Sequence, residues 1–93
     1  MKVVAQEPWA WTLFQDDAGT LVLSTLCGTV AQYGLEMALS PSEAENYERR
    51  GIEAVNALAR DVSHDPSAYT ARALDGFVRR PEVREAVDRW KTA

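Results

Sequence analysis

The 93-residue chain is 46% hydrophobic and 26% charged, with a formal net charge of −4. Those proportions exclude a disordered or low-complexity chain and fit one globular domain over residues 1–93. The acidic balance repels phosphate, which argues against nucleic acid as a direct partner, and no stretch approaches the roughly 18 uninterrupted apolar residues of a membrane span.

The first forty residues alternate with period two, as on a pleated sheet. Met1–Glu7 does not read as a secretory signal, because a charged residue and a proline interrupt it before an apolar run develops. Val3-Val4 is a candidate short edge strand. In Trp9–Gln15, Trp9, Trp11 and Leu13 share one face, and Ala10, Thr12 and Phe14 the other. Asp16-Asp17-Ala18-Gly19 supplies a turn, with Gly19 suited to positive φ. A second strand runs from Thr20 to Leu26 and breaks at Cys27-Gly28. In a third, Tyr33, Leu35, Met37 and Leu39 alternate with Gln32, Gly34, Glu36 and Ala38. The reading is a three-stranded antiparallel meander over 1–40, one face toward a core and the other more polar.

Ser40-Pro41-Ser42-Glu43 marks the change to helical spacing. The Ser40 hydroxyl can accept from the Glu43 N–H, the Glu43 carboxylate can accept from the Ser40 N–H, and Pro41 suits the first helical position. From Pro41 to about Val62 one stripe holds Ala44, Tyr47, Gly51, Ala54, Val55, Leu58 and Val62. Glu45, Arg49, Glu53 and Arg60 lie opposite, the first three at i,i+4 ion-pair spacing. Gly51 inside this helix calls for either a close contact with the sheet or a kink. Asp65-Pro66 starts a second helix to about Asp75, which Gly76 ends in left-handed conformation. Pro81 opens a third to about Lys91, with Val83, Val87 and Trp90 on one face, unless the last two segments form one bent helix. The expected fold is α+β: a three-stranded antiparallel meander followed by two to three helices (41–93) packed on one face.

Candidate chemistry is sparse. Cys27 cannot form an internal disulfide, which fits a reducing cytoplasm, and its only candidate base is His64. Cys27 lies in an apolar stretch beside a strand end and His64 in a polar loop, a setting for a small buried hydrophobe and a solvated ring. No catalytic residue is assigned. Cys27, His64 and Asp65 are too few and too scattered for zinc, and Asp16-Asp17 lacks the ligand periodicity of a calcium loop. Gly28 and Gly34 stand alone, with no phosphate loop around them. No cofactor and no metal are implied.

Charge and aromatics carry the remaining information. Residues 1–78 hold five bases and eleven acids, net −6, and residues 79–93 five bases and three acids, net +2. Such a field attracts a basic protein and speeds its encounter, and it also keeps a small domain soluble. Trp9 and Trp11 are core residues if a helix covers their face, and interface anchors if that face is open. Trp90 has the same two readings. Phe77-Val78, before Arg79-Arg80, reads as a terminal segment docking by its apolar side, on its own domain or on a second copy.

A short acidic chain with a sheet, a helical tail and no catalytic constellation resembles the small bacterial immunity proteins. The resemblance lies in the build of the whole chain. The stretches Leu23-Ser24-Thr25-Leu26-Cys27-Gly28-Thr29-Val30 and Ser40-Pro41-Ser42-Glu43 also resemble small bacterial proteins without transferring a functional residue. The resemblance implies a cytoplasmic, non-catalytic inhibitor that binds a basic toxin such as a nuclease. Trp9, Trp11, Asp16, Asp17, Glu36, Glu43, Glu45 and Glu48 are the candidate partner-binding residues. A structural or regulatory homodimer is the alternative class, and a small Cys27/His64 enzyme the third.

Overall fold

The computed structural model describes residues 1–8, 10–27 and 33–92. The expectations placed on Trp9, Gly28 and Gln32 lie outside the described residues. The fold is α+β, with a four-stranded antiparallel meander in chain order: β1 (Lys2–Glu7), β2 (Trp11–Gln15), β3 (Leu21–Cys27) and β4 (Tyr33–Ala38). The expected three strands become four because Val3-Val4 belongs to a full six-residue strand. A β-bulge hides it in the sequence. Val3 pairs with Phe14 but Ala5 with Leu13, so Val4 is an extra residue and the period-two pattern slips by one.

The β2–β3 turn is built as its residues suggest. Asp16 Oδ1 accepts the N–H of Ala18 at 3.0 Å and of Thr20 at 2.8 Å, and Gly19 takes φ 90°.

Helices cover the sheet on both faces rather than one. α1 (Pro41–Arg50) and α2 (Ile52–His64) lie on the face carrying Trp11, Leu13, Leu23, Leu35 and Met37; the core there is completed by Val55, Ala59 and Val62. α3 (Pro81–Thr92) lies on the other face, where Val83 and Ala86 join Val3, Phe14 and Val22. The reason is local. Leu13-Phe14 and Val22-Leu23 are adjacent apolar pairs, and neighbours on a strand point to opposite faces. Each face therefore has an apolar patch to bury.

The expected long helix is two helices. Gly51 separates them at φ 66°, and its N–H closes α1 on the Tyr47 carbonyl at 2.7 Å. A Cβ at Gly51 would meet nothing within 4 Å, so close packing is not why glycine stands there. The backbone is, since φ 66° with ψ −141° is a conformation that glycine alone adopts freely. The Ser40 capping box forms as expected: Glu43 N–H donates to Ser40 Oγ at 3.3 Å, and Ser40 N–H to Glu43 Oε1 at 2.7 Å.

The expected helix over 66–75 does not form. Single 3₁₀ turns occupy Pro66–Ala68 and Thr70–Arg72, and Asp65 accepts from Ser67 Oγ at 2.7 Å instead of capping a helix. Tertiary bonds win over local propensity here. Ala73 bridges to Met37, the Leu74 N–H donates to the Glu36 carbonyl at 2.7 Å, and Arg72 reaches Glu43. Gly76 is left-handed at φ 70°, as expected, and leads into a 3₁₀ turn at Phe77–Arg79. Phe77, 1% exposed, packs edge-on to Phe14 with ring centroids 5.3 Å apart, burial that stabilises by about 2–3 kcal/mol. The last two segments are thus separate, and this one docks on its own domain.

Candidate functional site

Four of the six acidic candidates have a partner within the protein. Asp16 holds the β2–β3 turn, while Asp17 accepts from the Met1 ammonium at 3.0 Å. Glu43, besides its capping role, binds Arg72 through two bonds: Nη1 to Oε2 at 3.1 Å and Nη2 to Oε1 at 2.6 Å. Arg72 Nη2 also donates to the Ala38 carbonyl at 2.9 Å, and its guanidinium lies 5.8 Å from the Tyr69 ring centre. Burial alone would raise the Glu43 carboxyl, but the bonds from Arg72 and Ser40 and the Arg72 charge outweigh it and hold it below its usual range. The cluster ties the 66–72 segment to α1 and to the end of β4. Nothing in the sequence pairs Arg72 with a residue twenty-nine positions away.

Glu36 faces the α3 side of the sheet, opposite α1 and α2. Its Oε2 accepts from Ser24 Oγ at 3.2 Å across the strand pair. Gly34 leaves room for that carboxylate, since a Cβ there would come within 2.8 Å of Glu36 Oε2. Burial pushes the Glu36 carboxyl above its usual range, and the Ser24 bond offsets this only in part. Glu45 and Glu48 are exposed on α1, with no hydrogen bond or ion pair among the described residues. The expected Glu45–Arg49–Glu53 ladder does not form: Arg49 turns to Asn46 Oδ1 at 3.4 Å, and Gly51 puts Glu53 in a separate helix. The acids form no single cluster. The α1 pair is exposed without a partner among the described residues, while Asp17 is exposed but paired with the Met1 ammonium.

Trp11 belongs to the core. It is 4% exposed, and its Nε1 donates to Asn56 Oδ1 on α2 at 2.8 Å. A surface-anchor role is thereby corrected, because α2 covers its face. Trp90 is 39% exposed, and its Nε1 donates to Gln6 Oε1 at 3.0 Å, with Gln6 Nε2 donating on to Thr12 Oγ1 at 3.0 Å.

Two clefts accompany these residues. One of about 340 Å³ lies between α3 and the sheet, with Phe14, Val83 and Val87 as apolar walls, Thr12 and Ser24 as hydroxyl contributors and Arg84 and Asp88 at its rim. A second, of about 350 Å³, separates α1 from α2 beside Tyr69 and is lined in part by Asn46, Arg50 and Asp61. Both could take a side chain from a partner.

Cys27 and His64 are not placed for joint chemistry. Cys27 is 1% exposed in the core, where burial, and after it the Glu36 charge, push its thiol up and disfavour the thiolate. His64 is exposed at the C-terminal end of α2. Among the described residues no group of three or more His, Cys, Asp or Glu could hold a metal ion, and no helix is long and apolar enough to cross a membrane.

Comparisons with protein-family models, with curated proteins and with solved structures find no match to this chain.

Proposed function

We propose that this chain is a non-catalytic protein-binding module of the immunity type, one that docks on a basic protein toxin such as a nuclease and blocks it in the cytoplasm. One observation carries the reading: charge is divided across the sheet. Residues 41–64 on one side hold five acids and three bases, net −2, with Glu45 and Glu48 exposed and unpaired among the described residues; residues 77–92 on the other hold five bases and three acids, net +2. An acidic side of this kind steers a cationic surface into one orientation and repels it from the reverse. The buried Cys27 thiol and its raised pKa support a role without nucleophilic chemistry.

The test is co-purification of the tagged protein with the products of neighbouring genes, at low and moderate salt, followed by charge reversal. Glu45→Lys with Glu48→Lys is the informative pair, because Glu43 and Asp16 serve the fold. The expected outcome is a stoichiometric basic partner whose association slows with salt, and slows about tenfold in the double variant. Recovery of no basic partner, or binding indifferent to salt and to the reversal, removes the reading.

A further inference from the structure

The two edges of the sheet are finished differently. Beyond β4, Ala73 bridges to Met37 and the Leu74 N–H reaches the Glu36 carbonyl, so that edge is partly occupied. Beyond β1, no strand lies among the described residues. The direction of the β1 backbone follows from its neighbours. The bonds from the Leu26 N–H to the Ala10 carbonyl and from the Asp16 N–H to the Thr20 carbonyl turn the even residues of β2 toward β3. Trp11, Leu13 and Gln15 therefore bond to β1, through their partners Glu7, Ala5 and Lys2. Val3 and Gln6 are left with their N–H and C=O groups pointing outward.

We propose that β1 is the seam of a homodimer, pairing antiparallel with β1 of a second copy about a two-fold axis between Val4 and Ala5. In that register Val3 of one copy lies opposite Gln6 of the other, and the two outward-facing residues form a hydrogen-bonded pair on each side of the axis. Lys2 lies opposite Glu7, and both are exposed, so an opposite-charge pair closes each end of the seam. The faces agree as well. Lys2, Val4, Ala5 and Glu7 belong to the α2 side, by pairing or by packing against its core, and Val3 and Gln6 to the α3 side. The pattern reads the same from either end, so every pair in the two-fold register brings together residues of one face.

The bulge decides in favour of a second copy over an arbitrary strand. An extra residue in one strand disrupts a ladder with a regular partner, and edge bulges normally discourage pairing. Two copies of β1 present the same extra residue symmetrically, and the spacing between Val3 and Gln6 then matches on both sides. Trp90 adds a further mark: it is 39% exposed and held over Gln6, beside the seam, where a second chain would cover it. This assembly is independent of the acidic α1 side.

Sedimentation equilibrium on the full chain reads the assembly directly. The mass is expected to rise from 10.3 kDa toward twice that value with concentration. Lys2→Glu places like charges opposite each other at both ends and is expected to raise the dimer dissociation constant about tenfold, with an unchanged far-ultraviolet circular dichroism spectrum. Exchanging both charges, Lys2→Glu with Glu7→Lys, restores the original constant. A mass of 10.3 kDa at every concentration overturns the proposal. So does a dimer that ignores the single reversal or that the double exchange fails to restore.

Discussion

At the scale of single residues, two half-buried glutamates answer the same problem in opposite ways. Glu43 meets a guanidinium and a backbone N–H, and its carboxyl is held below the usual range despite burial. Its contribution is therefore present above the ordinary carboxylate pKa and is lost as pH falls through the lowered value. Glu43→Gln should cost about 1–3 kcal/mol in urea denaturation at neutral pH, a gap that closes in acid. Glu36 meets only a hydroxyl, and burial holds its carboxyl above the usual range. The sign reverses: stability is fully present below the ordinary pKa and declines as pH rises through the raised one. Glu36→Gln, which keeps an acceptor for Ser24, should make the protein more stable at neutral pH and leave it unchanged in acid. Equal pH profiles for the two variants would refute this account of both sites. The sequence shows both residues as acids of one kind; what separates them is a partner remote along the chain in one case and its absence in the other.

At the scale of elements, what was legible is what is local. The Ser40–Glu43 capping box, the Asp16–Gly19 turn and the start of α3 at Pro81 each depend on a few adjacent residues, and each forms. A bulge erases period two along β1 and leaves only Val3-Val4 legible, and the 66–75 segment carries a helical cap and spacing while its bonds are tertiary. Gly51 falls between these cases. It was visible as an anomaly in a stripe, but only the backbone dihedral shows it as a terminator. Gly51→Ala should destabilise by about 1 kcal/mol or more, and Gly51→Asn by a comparable amount, since φ 66° with ψ −141° lies outside the left-handed helical basin that asparagine tolerates. Thermal unfolding that leaves either variant as stable as the parent would show that the strain is not at this residue. The candidate site was less legible than the fold. The acids could be counted, but their division into turn, cap, cross-strand and free groups depends on the folded arrangement.

At the scale of the whole molecule, the sheet is a partition. The first core lies between the sheet and α2, the second between the sheet and α3, and both draw on alternate residues of the same strands. Charge follows the partition, since the basic tail of the sequence becomes the layer opposite the acidic helices. The second core is the smaller, and α3 is its lid: Val83 and Ala86 bury against Val3, Phe14 and Val22, while Arg89 donates to the Met1 carbonyl at 2.6 Å and Trp90 to Gln6.

That closure of the last helix on the first strand sets an order of events during synthesis. A chain emerging from a ribosome completes β1, β2 and β3 long before Phe77 and residues 81–92 exist, so for that interval Phe14 and Val22 have no cover. Nascent sheet and finished protein thus differ in one oily face, the surface a chaperone would recognise and the one most prone to aggregate. A chain stopped after Arg80 should keep much of its first core yet bind a hydrophobic dye such as ANS, and the dye signal should vanish when the complete chain is made.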